Sequence, residues 1–466
     1  MKIVKLMAVV LMVVALVVSC APSATPTPVV IKETQVVKET QVVKETQVVK
    51  ETVVVQPTAA PLKKIDIEFW TMMGGTAGKI LQEQVDKFNA SQDRINIINV
   101  YQGDYEPTNQ KLLAAVAAGT PPVITMIDYL YVPFYASQGV FEPLENLATA
   151  AEMKDYIPAL LEDLQYKGFT YAMPYNRSCQ GVYYNKDLFK AVGLDPEKPP
   201  KTWAEFNEYG AKITDKSKDQ YATYVKFTRW YFAPSVYQWG GRMNDENCNP
   251  VFQKEGGVEA MKFFQDMRFK EGYAVLQSNL TGSFDQANIE FVNGKVAMVR
   301  GSTASQGTVA NTVDFNWGFF SLPAGPVRAA VTQGGGSIAI GAKATSEQKA
   351  AAWEFLVWLT GTEQSADYHI ATGYLPTRYS TIELPRMQEW YAKNPTWKVS
   401  VDALEWAYPT SCIEFNLGPT YHTLMTEAVD RMMINGEDVQ KVLNETAAAF
   451  QVEIDALRAK GDLILK

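Results

Sequence analysis

Histidine and cysteine are scarce in this chain of 466 residues, with two of the first and four of the second. His369 and His422 are too few for a histidine-rich metal centre. Positive charge is short as well: 43 Lys and Arg face 51 Asp and Glu, a formal charge of -8. That balance argues against nucleic acid as a partner. Residues 1–63 carry net +3, which leaves -11 on residues 64–466, a field that does not favour bulky anions. Catalytic signatures fail by single residues. In Gly335-Gly336-Ser337-Ile338-Ala339, Ala339 stands where a nucleophile elbow closes on glycine. Gly336 and Gly341 have Walker-A spacing, but Ala342 precedes Lys343 and no Ser or Thr is placed for magnesium. Neither a Gly-x-Gly-x-x-Gly run nor a Cys-x-x-Cys pair occurs, and no cofactor is expected. What the chain has in quantity is aromatic surface: 10 Trp, 23 Tyr and 21 Phe. Such a composition reads as a binder before an enzyme. A glycan-acting enzyme built on a carboxylate pair remains as an outside alternative, because 51 acidic residues allow many pairs.

Lys2 and Lys5 precede an apolar run, Leu6 to Val18. Thirteen residues fall short of the roughly 20 a spanning helix needs and fit a signal-peptide core. The run ends in Val17-Val18-Ser19-Cys20, which resembles the bacterial lipoprotein cleavage box. The resemblance implies that residues 1–20 are a signal peptide, that Cys20 becomes a lipidated first residue, and that the protein sits on the cell membrane at its extracellular or periplasmic face. An ordinary secretory signal with a chance cysteine is the alternative. Residues 21–63 read as an extended linker, since Pro, Ser and Thr follow Cys20 and a six-residue repeat then begins. Gln35-Val36-Val37-Lys38-Glu39-Thr40 recurs from Gln41 and from Gln47. A period of six matches no helix but suits an extended strand, so the repeat reads as a spacer or, alternatively, as a self-associating or wall-binding element.

From residue 64 the pattern becomes that of an α/β protein. Ile65-Asp66-Ile67-Glu68-Phe69-Trp70 alternates as a half-buried strand, and Ile80, Leu81, Val85 and Phe88 follow at helical spacing. A strand from Ile95 to Val100, a helix ending at Gly119 and a buried strand at Val123–Ile127 complete a lobe with a largely parallel sheet. Ligands bind beyond the carboxyl ends of such strands, which places Trp70, the Gly103-Asp104-Tyr105 turn and Asp128-Tyr129 at one rim. A second lobe is expected to begin near Tyr183, with a capping box at Thr202–Glu205 and a buried strand at Val296–Val299. The apolar stripe over 437–458 reads as core packing. Without Cys20 three cysteines remain, Cys179, Cys248 and Cys412. A disulfide is possible in an exported protein, its connectivity is open, and a buried inert thiol is the default for each.

Several segments then recur together: Gly119-Thr120-Pro121-Pro122, Gly139-Val140-Phe141-Glu142-Pro143-Leu144, Val182 to Phe189, Gly294-Lys295-Val296-Ala297-Met298 and Thr372-Gly373-Tyr374-Leu375-Pro376. With Phe69-Trp70 they resemble the family-1 extracellular solute-binding proteins of bacterial ABC importers, the carbohydrate group. The resemblance covers about residues 64–460. It implies a two-lobe periplasmic-binding-protein-like fold with hinge crossovers and a ligand cleft between the lobes. Residues 64–175 and 336–384 would form the first lobe, and residues 181–332 and 385–463 the second. It also implies a monomer that hands a carbohydrate or polyol ligand to a membrane permease. Within the family the look is closest to glycerol-3-phosphate-binding receptors, on Tyr101-Gln102-Gly103-Asp104-Tyr105, Gly193 to Trp203 and Gly334–Ser337. By position Tyr105, Ser178, Trp230, Gly335 and Tyr374 match residues lining the ligand site there. Three positions depart: Phe227 replaces a tryptophan, a carboxylate falls at Tyr129 or its neighbour Asp128, and the phosphate-holding arginine falls at Asn416.

Asn416 supplies a neutral donor and acceptor where phosphate recognition wants a guanidinium, although Arg177, Arg229 or Arg300 lie near enough in sequence to substitute. A neutral sugar or polyol is therefore the expected ligand, with glycerol-3-phosphate or a glycerophosphodiester as the alternative. Sugars need flat apolar surfaces and a few fixed polar groups. Trp70, Phe227, Trp230, Trp239 and Tyr374 are the candidate surfaces; Phe227 and Trp230 share a face if their segment is helical. Asn176, Ser178, Ser302, Asn416 and the backbone N–H groups of Gly334–Gly336 are the candidate polar contacts.

Overall fold

The computed structural model describes residues 64–465 apart from 225–226, 255 and 276–288. These residues fall in one compact unit, Ala60–Lys466. The expected signal peptide, Cys20 and the six-residue repeats lie outside the described residues.

Alternation makes the first strand, Ile65–Thr71: Ile67 and Phe69 point into the core while Asp66 and Glu68 face out. The helix Gly75–Ser91 lays Leu81, Val85 and Phe88 on that sheet. The strand Ile95–Tyr101, the helix Tyr105–Ala117 and the wholly buried strand Ile124–Asp128 follow. Gly119, at φ +77°, turns the chain after the second helix.

The three strands pair in parallel, but most of the rest of the sheet does not. Val331–Ile340 runs antiparallel to Ile124–Asp128, and Met173–Asn185 runs antiparallel to Val331–Ile340. Met298–Ser302 and Trp317–Ser321 then flank the far half of Met173–Asn185, again antiparallel. Parallel pairing in this sheet, expected from the sequence to prevail, is thus limited to these three strands and the two-residue strand Ala407–Tyr408, which runs parallel to Val331–Thr332. The others are antiparallel because the chain passes between its two halves on two long strands that lie side by side. All thirteen residues of Met173–Asn185 are buried, as befits a strand covered on both faces.

Two large apolar cores result. One gathers Phe69, Val85, Met126, Ile338 and Phe355; the other gathers Phe206, Phe232, Phe264, Met425 and Phe450. In the second core the Thr202–Glu205 capping box starts the helix Trp203–Ile213. The C-terminal stripe packs inward as core: Val439, Leu443, Phe450 and Ile454 of Val439–Lys460 are buried. The short strand expected at Val296–Val299 instead spans Met298–Ser302, and Val296 makes only an isolated bridge to Tyr221. No helix among the described residues is long and apolar enough to cross a membrane.

Cys248 and Cys412 form a disulfide, so the expectation of an inert thiol fails for both. Their Cα atoms stand 5.6 Å apart although 164 residues separate them in sequence, a proximity no spacing rule reveals. Cys179 remains a thiol, fully buried, with burial pushing its pKa up to about 12.

Candidate functional site

A cleft of about 960 Å³ opens between residues of the two cores, within the size range of small-molecule sites. One wall comes from the carboxyl ends of the parallel strands, as Met72, Asp104, Tyr105, Asp128 and Tyr129. The facing wall is the start of the helix Arg229–Gln238, with Phe227, Thr228, Arg229 and Trp230. The long helix Cys412–Met433 adds His422, Thr426 and Asp430. Ser178, Ser302, Gly334, Gly335 and Tyr374 line the back.

Local folding explains most placements. Tyr374 follows Gly373, a left-handed residue that ends the helix Thr362–Thr372. Its carbonyl contacts His369 Nδ1 at 2.5 Å, and its ring stacks on Tyr368 with centroids 5.4 Å apart. Tyr105 hydrogen-bonds with Tyr374, and Asn176 Nδ2 lies 3.4 Å from the Tyr105 hydroxyl. Burial raises the Tyr105 phenol well above its ordinary pKa, so it stays a neutral donor. Gly335 has φ +99°, and a Cβ there would fall 1.9 Å from the Asn176 carbonyl, so this wall admits no side chain. Gly334 is constrained less severely, by the Trp230 ring, which a Cβ there would meet at 2.8 Å.

Charge in the cleft is mostly negative. Asp128 is buried, accepts the Leu130 N–H at 3.1 Å and stands 3.9 Å from Arg229. Burial raises its pKa, partly opposed by Arg229. Asp104 and Asp430 add carboxylates, and Arg229 is the cation among the described lining residues. Burial and, second, Arg229 push His422 down to about 4, so its ring is neutral at physiological pH.

Of the residues singled out from sequence, the cleft brings together Tyr105, Asp128, Tyr129, Ser178, Phe227, Trp230, Ser302, Gly335 and Tyr374. Ser302 also caps a short turn by accepting the Ala304 N–H. Phe227 and Trp230 do not share a helical face, because the helix begins at Arg229, after Phe227. Five candidates are not in the lining: Asn176, Gly336, Trp70, Trp239 and Asn416. Trp70 lies on the outward face of its strand with Glu68, to which its indole N–H donates. Trp239 caps the helix Arg229–Gln238 and packs on Phe263 and Phe264 in the second core. Asn416 clamps the C-terminal segment, donating to the Cys412 and Ile464 carbonyls at 2.9 Å and accepting the Ile464 N–H at 3.0 Å. Arg177 and Arg300 are buried behind the walls, the first over Tyr129 and the second over Phe227. His422, Thr426 and Asp430 escaped notice. Their spacing of four on one helix face was the available signal, masked by the apolar residues between them.

Matches to known proteins agree with this geometry. Residues 83–398 match the family model described as bacterial extracellular solute-binding protein. The sn-glycerol-3-phosphate-binding periplasmic protein of Pectobacterium atrosepticum is 30% identical over 350 residues, which cover 71% of this chain and 77% of that protein. The corresponding protein of Escherichia coli is 28% identical over 350 residues, 71% of this chain and 78% of its own. Among solved structures, the Mycobacterium tuberculosis UgpB in complex with glycerophosphocholine superposes with a TM-score of 0.76 at 26% identity, covering 84% of this chain and 99% of that one. The cyclic alpha-maltosyl-1,6-maltose binding protein of Arthrobacter globiformis shares the fold, with a TM-score of 0.72 at 22% identity, covering 84% and 99%. The chain belongs to the bacterial extracellular solute-binding proteins, the two-lobe binding proteins of ABC importers, and resembles their glycerol-3-phosphate receptors rather than any enzyme.

Proposed function

We propose that this protein captures a neutral sugar or polyol in the cleft and delivers it to an ABC permease. The observation that carries this reading is the state of the cleft's charges: Arg229 lies 3.9 Å from the buried Asp128, and the other charged groups of the described lining, Asp104 and Asp430, are acidic. An anionic ligand would have to compete with Asp128 for the guanidinium. Tyr105, Tyr374 and Trp230 supply flat surfaces beside the hydroxyl of Ser178, a combination suited to the C–H faces and hydroxyls of a sugar. Residues 64–175 with 336–384 and residues 181–332 with 385–463 would form the closing lobes, with Cys20 as a lipid anchor holding a monomer beside the membrane.

A second reading, a glycerophosphate or glycerophosphodiester ligand, is favoured by the start of the helix Arg229–Gln238. Thr228 offers that helix no side-chain cap, and its first turn faces the cleft beside Arg229. Helix N-termini suit phosphate. Arg229→Gln separates the readings: a phosphate ligand should lose 100-fold or more in affinity, whereas a neutral sugar should lose about tenfold or less. Trp230→Ala should weaken any ligand by about 30-fold or more. Retained binding in that variant, measured by calorimetry, would remove Trp230 from the site.

A further inference from the structure

Trp230 is held from both of the long strands that run between the two cores. Its indole N–H donates to the Gln333 carbonyl at 2.9 Å, and its own carbonyl accepts from Gln180 Nε2 at 2.8 Å. Gln180 and Gln333 stand on adjacent positions of the paired strands, since Gln333 lies opposite Cys179. Both glutamines are buried, so each amide must find its partners inside the protein.

The bonds continue away from the cleft. Gln180 ties the strands to each other, donating to Thr332 Oγ1 at 2.7 Å and accepting the Thr332 N–H at 2.8 Å. Gln333 donates to the Ala159 carbonyl at 2.7 Å and accepts from the Arg177 guanidinium at 2.8 Å. Arg177 is fully buried, lies 3.8 Å from the Asp163 carboxylate and covers the Tyr129 ring at 4.3 Å. Asp163 in turn accepts the Thr410 N–H at 3.1 Å, from the segment entering the helix Cys412–Met433. One chain of polar contacts therefore runs from Trp230 on one wall, through both strands, to Tyr129 on the other wall and to Thr410.

We propose that Gln180, Gln333 and Arg177 are positioning residues that couple the Trp230 surface to the interlobe strands, so that cleft occupancy and strand geometry change together. Buried hydrogen bonds such as these resist rearrangement one at a time, because breaking one strands a desolvated partner. Two-lobe binding proteins close by bending the segments that connect their lobes. A ligand that tilts the Trp230 ring here pulls directly on those segments. The strand runs close under the indole, since a Cβ on Gly334 would fall 2.8 Å from it. The inference rests on the cleft being the ligand site.

Amide hydrogen exchange of the full chain without ligand tests the coupling. Trp230→Phe keeps a flat ring and deletes the indole N–H; Gln180→Met keeps the length and deletes the amide. The expected result is exchange at least tenfold faster over residues 173–182, 331–336 and 407–412, with the helix Val439–Lys460, which among the described residues shares no hydrogen bond with those segments, unchanged. Acceleration confined to residues 229–238 would overturn the coupling. So would uniform acceleration that includes Val439–Lys460, which marks a merely structural role. Should Gln180→Met fail to fold, Trp230→Phe alone decides between these outcomes. A failure of the ligand-site reading appears elsewhere, as loss of every ligand response in calorimetry while this exchange pattern stands.

Discussion

His369 has no route to solvent, and its ring contacts the carbonyl of the cleft residue Tyr374. Burial lowers its pKa from 6.5 to about 4. Between those values the unfolded chain binds a proton that the folded chain does not, so stability rises with pH across that window. The contribution is complete above pH 6.5 and is lost as pH falls through 4, on the order of 3 kcal/mol. Urea unfolding of His369→Gln should show a flatter stability profile between pH 4 and 6.5 than the parent; an unchanged slope would acquit His369. Asp128 and Glu414 act in the opposite sense, since burial raises both carboxyl groups. The folded state holds their protons longer, so each costs stability as pH climbs out of the ordinary carboxylate range. Trp230, Tyr374 and Tyr105 were legible in the sequence through the family positions they occupy. Gln180 and Gln333 were not, because nothing local distinguishes a buried glutamine that bonds a distant indole from one on a surface.

At the scale of elements, the strand Val331–Ile340 is where substitution is least tolerated. Gly335→Ala forces a Cβ against the Asn176 carbonyl from a positive φ, and should lower stability by several kcal/mol or prevent folding. A melting temperature within two degrees of the parent would contradict that geometry. The helix Cys412–Met433 carries the other element-level device. Its first residue is bonded to Cys248, and beyond a kink at Gly418 it presents His422, Thr426 and Asp430 to the cleft. A cross-link closing so long a loop is worth about 2–5 kcal/mol. Cys248→Ser should accordingly melt several degrees lower in non-reducing buffer, and the difference should vanish under reducing conditions. Periodicity located the local elements, from Ile65–Thr71 to Val439–Lys460, since each depends on neighbours in sequence. It missed the antiparallel pairings and the disulfide, which join residues more than 110 positions apart.

For the molecule as a whole, the two cores and the cleft between them follow from chain reversal on two adjacent strands, a long-range arrangement that only the family resemblance made legible. The address segment depends on sequence alone. Cys20→Ala should move the protein from the membrane fraction to the soluble exported fraction, and persistent labelling by a fatty-acid probe would defeat lipidation at Cys20. The central claim concerns what the cleft holds. The direct measurement is a thermal-shift screen of the purified protein against neutral mono- and oligosaccharides, polyols, glycerol-3-phosphate and glycerophosphodiesters. A ligand at 100 times its dissociation constant adds about 2.7 kcal/mol, which moves the midpoint by a few degrees. The pairing of Arg229 with Asp128 predicts a shift with a neutral sugar or polyol. Shifts confined to the phosphorylated compounds would contradict it.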